Sequence, residues 1–89
     1  MAQSYDVVVT VKSQKGHCGW GHKEGDSWKI TGTTPSGMCL AGFAAILPAV
    51  RTYMMGGVHP WEKDEDATDL CCQDALNPVV FEIRRVPKE

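Results

Sequence analysis

Two stretches of the chain alternate between apolar and polar positions with the period of an extended strand. Over residues 5–12, Val7, Val9 and Val11 fall on one face, and Val8, Thr10 and Lys12 on the other. The run is rich in β-branched residues and predicts a strand. Over 79–86, Val79, Phe81 and Ile83 share a face, opposite Val80, Glu82, Arg84 and Val86. A shorter strand is predicted over 27–31, where Trp28 and Ile30 share a face, and a very short extended piece at Leu70-Cys71-Cys72. Only 38–55 carries helical spacing, with Leu40, Phe43, Ala44, Leu47, Val50, Arg51 and Met54 at i, i+3, i+4, i+7 intervals. Pro48 lacks an amide donor and crowds the preceding turn, which predicts a kink or two short helices meeting near Leu47. Thr34 or Ser36 is the expected cap with Pro35 in the first turn, and Gly56-Gly57 the expected stop.

Between these elements, 13–26 is glycine-rich and irregular, 58–69 is a polar, acidic loop, and 74–78 carries strong turn signals. The order is β-β-α-β-β. It predicts an α+β fold: a small, mainly antiparallel sheet of three to four strands with one kinked helix packed on one face. The first and last strands are the longest and are expected to pair in its centre. Val8, Val80 and Val86 lie on the other face, which loops or a partner chain would cover.

Composition narrows the class. Eighty-nine residues make a single domain, 1–89. A chain this short buries only about two-thirds of its unfolded surface, so a metal ion or self-association helps it. The net charge is −2 and the basic residues are scattered, which argues against a nucleic-acid partner. The start of the sequence lacks the regions of a signal peptide. The longest apolar run, around 38–50, is too short to span a membrane. A cytoplasmic protein is expected, with its four cysteines as thiols.

The densest chemistry lies in 16–26, where one thiol, two imidazoles, one indole and four glycines share eleven residues. Soft thiolates suit zinc or iron, and four ligands satisfy a tetrahedral ion or a cluster. Cys18, Cys39, Cys71 and Cys72 contain no Cys-x-x-Cys spacing, so no zinc-knuckle or ferredoxin signature is present. Adjacent residues of an extended segment point opposite ways, so one of Cys71 and Cys72 is expected to ligate. Cys18, Cys39 and that cysteine would join His22, or His17, around an iron–sulfur cluster, an iron ion or, alternatively, zinc. Spacing does not separate these metals.

Two other readings stand beside this one. Cys18, near His17, His22 and Lys23, could act as a metal-free nucleophile with His22, and Cys39 at a helix start would be activated by the dipole. Sequence identifies no orienting acid for this pair, although Asp26 and Asp74 are available. Alternatively the chain is an accessory or binding subunit, as a homo-oligomer or with a larger enzyme partner. Trp20 and Trp61 in loops are candidate contacts, and Trp28 is a core residue. Cys39 and one of Cys71 and Cys72 could also simply fill the core. The acidic run 62–66 lacks a calcium-loop pattern, and Gly19-x-Gly21 does not open a helix as a phosphate loop does.

One resemblance joins these motifs. Gly16-x-Cys18-x-x-Gly21-His22-Lys23-x-Gly25-Asp26 is followed by Pro35-x-Gly37-x-Cys39, Gly56-Gly57-x-x-Pro60-Trp61, and Cys71-Cys72-x-Asp74-x-x-Asn77-Pro78-Val79-Val80-Phe81-Glu82. The combination resembles a family of small proteins of about this length, defined by sequence rather than activity, from anaerobic bacteria and archaea. The resemblance implies one domain and an anaerobic cytoplasm, and so tilts the choice of metal towards iron. It supplies no catalytic residues.

Overall fold

The two valine-rich runs form the centre of the sheet. The computed structural model describes residues 4–88. Strands β1 (Tyr5–Gln14) and β4 (Val79–Pro87) are antiparallel, with Val9 opposite Ile83 and Val11 opposite Phe81. β2 (Ser27–Ile30) flanks β1, and β3 (Ala67–Cys71) flanks β4, giving the order β2-β1-β4-β3 with every pairing antiparallel. One helix, α1 (Leu40–Met54), covers one face of the sheet. The fold is the α+β arrangement that the alternation predicts.

The core lies between that face and α1. Val7, Val9, Val11, Phe81 and Ile83 meet Ile46, Val50 and Tyr53 there, all essentially without solvent contact. Each such aliphatic or aromatic side chain contributes about 1.5–3 kcal/mol through burial. Lys12, left without a partner in β4 by a register shift between Val11 and Ser13, lies on the opposite face with Val8 and Thr10, and its ammonium meets Asp69 at 2.8 Å. Arg84 pairs there with Asp64 and Glu82. The solvent face of the sheet thus carries charge among its half-buried valines.

Four expectations need correction. The buried stripe of α1 is Gly42, Ile46, Ala49, Val50 and Tyr53, whereas Leu40 is 82% exposed and Ala44, Leu47 and Arg51 also face water. The helix is apolar on nearly every side, so periodicity alone does not choose its face. Small residues decide it: a Cβ on Gly42 would lie 3.0 Å from Phe81 Cζ, so glycine permits the approach of helix to sheet. The cap is Cys39, not Thr34 or Ser36; the Ser36 carbonyl instead accepts the Trp28 indole N–H at 3.1 Å. Pro48 does not divide the helix, because its fixed φ suits a helix and only one backbone bond is lost. Finally, residues 67–69 belong to β3 rather than to a loop. Thr68 is buried there because its hydroxyl donates to Glu62 at 2.6 Å, which satisfies the polar group.

The stop at the end of α1 is glycine, as expected. Gly56 has φ +83°, its amide donates to the Tyr53 carbonyl, and that of Gly57 donates to the Thr52 carbonyl. Among the described residues no helix is long and apolar enough to cross a membrane.

Candidate functional site

Three segments far apart in sequence meet at one end of the sheet: the glycine-rich loop after β1, the start of α1, and the turn between β3 and β4. They enclose a cleft of about 280 Å³ lined by Cys18, Cys39 and Cys72, with Gly19, Trp20, Ala41, Asp74, Asn77 and Val79.

The glycine-rich loop is fastened at both ends. At its start the Lys15 amide donates to the Pro78 carbonyl at 3.0 Å, and the His17 amide to Asn77 Oδ1 at 2.8 Å. At its end the Val11 amide donates to the Asp26 carbonyl, and the Gly25 amide to the Val11 carbonyl. Gly16 is required twice over. Its φ is +69°, and a Cβ there would collide with Asn77 Oδ1. Between these fastenings the Gly21 amide donates to the Cys18 carbonyl at 2.9 Å, closing a turn that presents Cys18 and Trp20 to the cleft.

The β3–β4 turn is organised by Asp74. One carboxylate oxygen accepts the amides of Leu76 and Asn77, and the other accepts Asn77 Nδ2 at 3.1 Å. The Asn77 side chain, followed by the Leu76 amide, holds the Asp74 carboxyl below the usual aspartate value. Just before this turn, the Cys72 amide donates to the Val79 carbonyl at 2.9 Å, and the Val79 amide donates back to Cys72 Sγ at 3.3 Å. Cys71 ends β3 on the solvent face and is exposed. Partial desolvation of its sulfur raises its pKa, and the adjacent Cys72 thiol raises it further.

Cys39 is fixed from two sides. Its sulfur accepts the Gly42 amide at 3.3 Å as the cap of α1. Its own amide donates to His22 Nε2 at 3.0 Å. His22 is 6% exposed and stands edge-on to Trp28, with ring centroids 5.1 Å apart. The Nε2 lone pair is committed to the amide, so the proton of neutral His22 belongs on Nδ1. In this arrangement His22 positions Cys39 and does not offer Nε2 to a metal.

Of the expected ligands, then, Cys18, Cys39 and Cys72 share the cleft. Cys71 and His17 do not line it, and His22 lies behind it. Among the described residues, no three His, Cys, Asp or Glu side chains are gathered closely enough to hold one metal ion. Two of the cleft sulfurs, those of Cys39 and Cys72, accept backbone N–H groups. Trp20 forms an outer wall and is 77% exposed. Trp61 packs elsewhere, against His59, whose ring meets Tyr53. Asn77 is the residue that sequence reasoning undervalued. Its turn-forming context was visible, but its clamp on the His17 amide is a tertiary contact.

Comparison of the chain with protein-family models, with curated proteins and with solved structures gives no match.

Proposed function

We propose that this protein binds an iron–sulfur cluster through Cys18, Cys39 and Cys72. The observation that carries the reading is the meeting of these three thiols, from three separate segments, in one cleft. Iron–sulfur clusters are held by cysteine thiolates, and hydrogen bonds to the sulfurs tune their potential. The amides of Gly42 and Val79 are such donors.

Cysteine thiolates are the ordinary ligands of an iron–sulfur cluster and also bind zinc. Zinc is the alternative occupant if the loop closes further, since metal binding and local folding are coupled. Gly19 and Gly21 have open space where a Cβ would stand, so the loop carrying Cys18 is free of side-chain obstruction there. The motif resemblance to proteins of anaerobes is in keeping with iron, and thiolate ligation with a reducing cytoplasm. An accessory role, as a homo-oligomer or beside a larger enzyme, is compatible with so small a cluster carrier.

One observation favours a second reading, metal-free thiol chemistry. Cys39 Sγ caps the N-terminus of α1 and accepts the Gly42 amide at 3.3 Å. Cys39, rather than Cys18 paired with His22, is then the nucleophile, because His22 Nε2 is engaged by the Cys39 amide.

Anaerobic purification, elemental analysis and an absorption spectrum separate these readings. Iron with acid-labile sulfide and visible absorption supports the cluster. Stoichiometric zinc without colour supports the mononuclear alternative. A metal-free protein after expression with both metals supplied, with Cys39 the most readily alkylated cysteine, supports thiol chemistry.

A further inference from the structure

We infer that the groove between α1 and β2 binds a small monocarboxylate with an apolar body, its carboxylate paired with Arg51. The groove shares no lining residue with the cysteine cleft, so the inference stands whatever that cleft holds.

Helical spacing puts Phe43, Leu47, Val50, Arg51 and Met54 on one stripe of α1. The sheet takes the neighbouring stripe of Gly42, Ile46, Ala49 and Tyr53, with Val50 common to both. The first stripe instead meets the end of β2 and the loop after it, and the two enclose a groove of about 190 Å³. Ile30 and Val50 are buried where they line it, Phe43 and Met54 are half-buried, and Leu47 is exposed. Arg51, Thr33 and Thr34 are its polar side chains. Arg84 and Arg85 each meet two carboxylates. Among the described residues Arg51 meets none, and the Thr33 and Thr34 hydroxyls make no hydrogen bond.

These features specify the occupant. An apolar lining with a few polar groups that fix orientation is the usual make-up of a small-molecule site. A guanidinium offers parallel N–H donors that match the two oxygens of a carboxylate, and threonine hydroxyls are further donors. Among the described residues lining the groove none is Lys, and Arg51 lies in the last turn of α1, close to carbonyls of partial negative charge. One guanidinium so placed offsets one negative charge. A dianion such as a phosphate monoester would keep an unpaired charge against an apolar wall. The volume falls below the roughly 300–1,000 Å³ of sites for drug-sized ligands, which limits the body to a single ring or a short branched chain.

The test is an NMR titration of the isotope-labelled full chain with phenylacetate under argon. The methyl signals of Ile30, Leu47, Val50 and Met54 and the side-chain N–H of Arg51 are expected to shift together and saturably. Those of Ala41 and Val79, in the cysteine cleft, should stay in place. Arg51→Gln, a change at an exposed position, is expected to weaken phenylacetate about tenfold, the loss of charge-assisted hydrogen bonds. Phenylacetamide, which is uncharged, should bind the variant and the wild type alike. Acetate, which lacks the ring, and phenyl phosphate, a dianion, are expected to bind more weakly than phenylacetate. No saturable shift in the groove, or equal phenylacetate affinity in Arg51→Gln and the wild type, would overturn the inference. Acetate or phenyl phosphate binding as tightly as phenylacetate would overturn the ligand class. Shifts of the same signals on raising the protein concentration alone would give the groove to a second copy of the chain, and would overturn the inference as well.

Discussion

The imidazole of His22 accepts the backbone amide of Cys39 at 3.0 Å, joining the glycine-rich loop to the first turn of α1. One bond thereby sets the position of a cysteine sulfur and supplies an acceptor to a part-buried amide at the helix entrance. Replacing His22 with Ala leaves that donor unpaired, at a cost of about 1–3 kcal/mol. His22→Gln retains an acceptor on a side chain of similar reach and is expected to recover part of the loss. Denaturant unfolding under argon checks both variants. Equal stability of His22→Ala and the wild type would remove His22 from its positioning role.

The fit of the glycine-rich loop against the β3–β4 turn depends on the absence of a side chain at Gly16. Gly16→Ala forces a Cβ into Asn77 Oδ1 at a positive φ, and is expected to destabilise the protein by about 1–3 kcal/mol. Gly19→Ala, a few residues on in the same loop, meets no atom within 4 Å and is expected to be near neutral. Comparing the two unfolding midpoints separates this specific contact from a general need for loop flexibility.

The turn that carries Cys72 should loosen in acid. The hydrogen bonds from Asn77 and Leu76 depress the folded pKa of Asp74, so its contribution is complete above the unfolded value of about 3.8 and is lost as the pH falls through the lower folded value. The amide resonances of Leu76 and Asn77 are expected to move together in that acid range. In Asp74→Asn the same resonances should no longer follow a titration at this position.

Cys71 and Cys72 are expected to be coupled in their ionisation. Partial desolvation holds the Cys71 thiol above the usual value of 9.0, and the Cys72 sulfur raises it further. Cys72→Ala removes the second influence and leaves the first, so Cys71 should ionise at lower pH in the variant. The pH dependence of its alkylation, followed by mass spectrometry, reads this directly. An unchanged profile would show that the two thiols titrate independently.

The strands were legible because Val7, Val9, Val11, Val79, Phe81 and Ile83 alternate cleanly and bury one face. The helix was legible as an element but not in its orientation. Ala44 and Leu47 fit the apolar spacing as well as Ala49 and Ile46 do, and the contact of Gly42 with Phe81 decides between them. At the site, the cysteines stood out by chemistry, while their meeting depended on strand order. His22 had the composition of a ligand. Only its bond to the Cys39 amide reveals a positioning residue, and no pattern in the chain encodes that bond.

The central claim is that Cys18, Cys39 and Cys72 form one site. The most direct measurement is iron and acid-labile sulfide per chain after anaerobic reconstitution of the wild type and of the four single Cys→Ser variants. The account predicts bound iron and sulfide in the wild type and in Cys71→Ser, with most of both lost in each of Cys18→Ser, Cys39→Ser and Cys72→Ser. Iron retained in all three of those variants, or absent from the wild type, would contradict it.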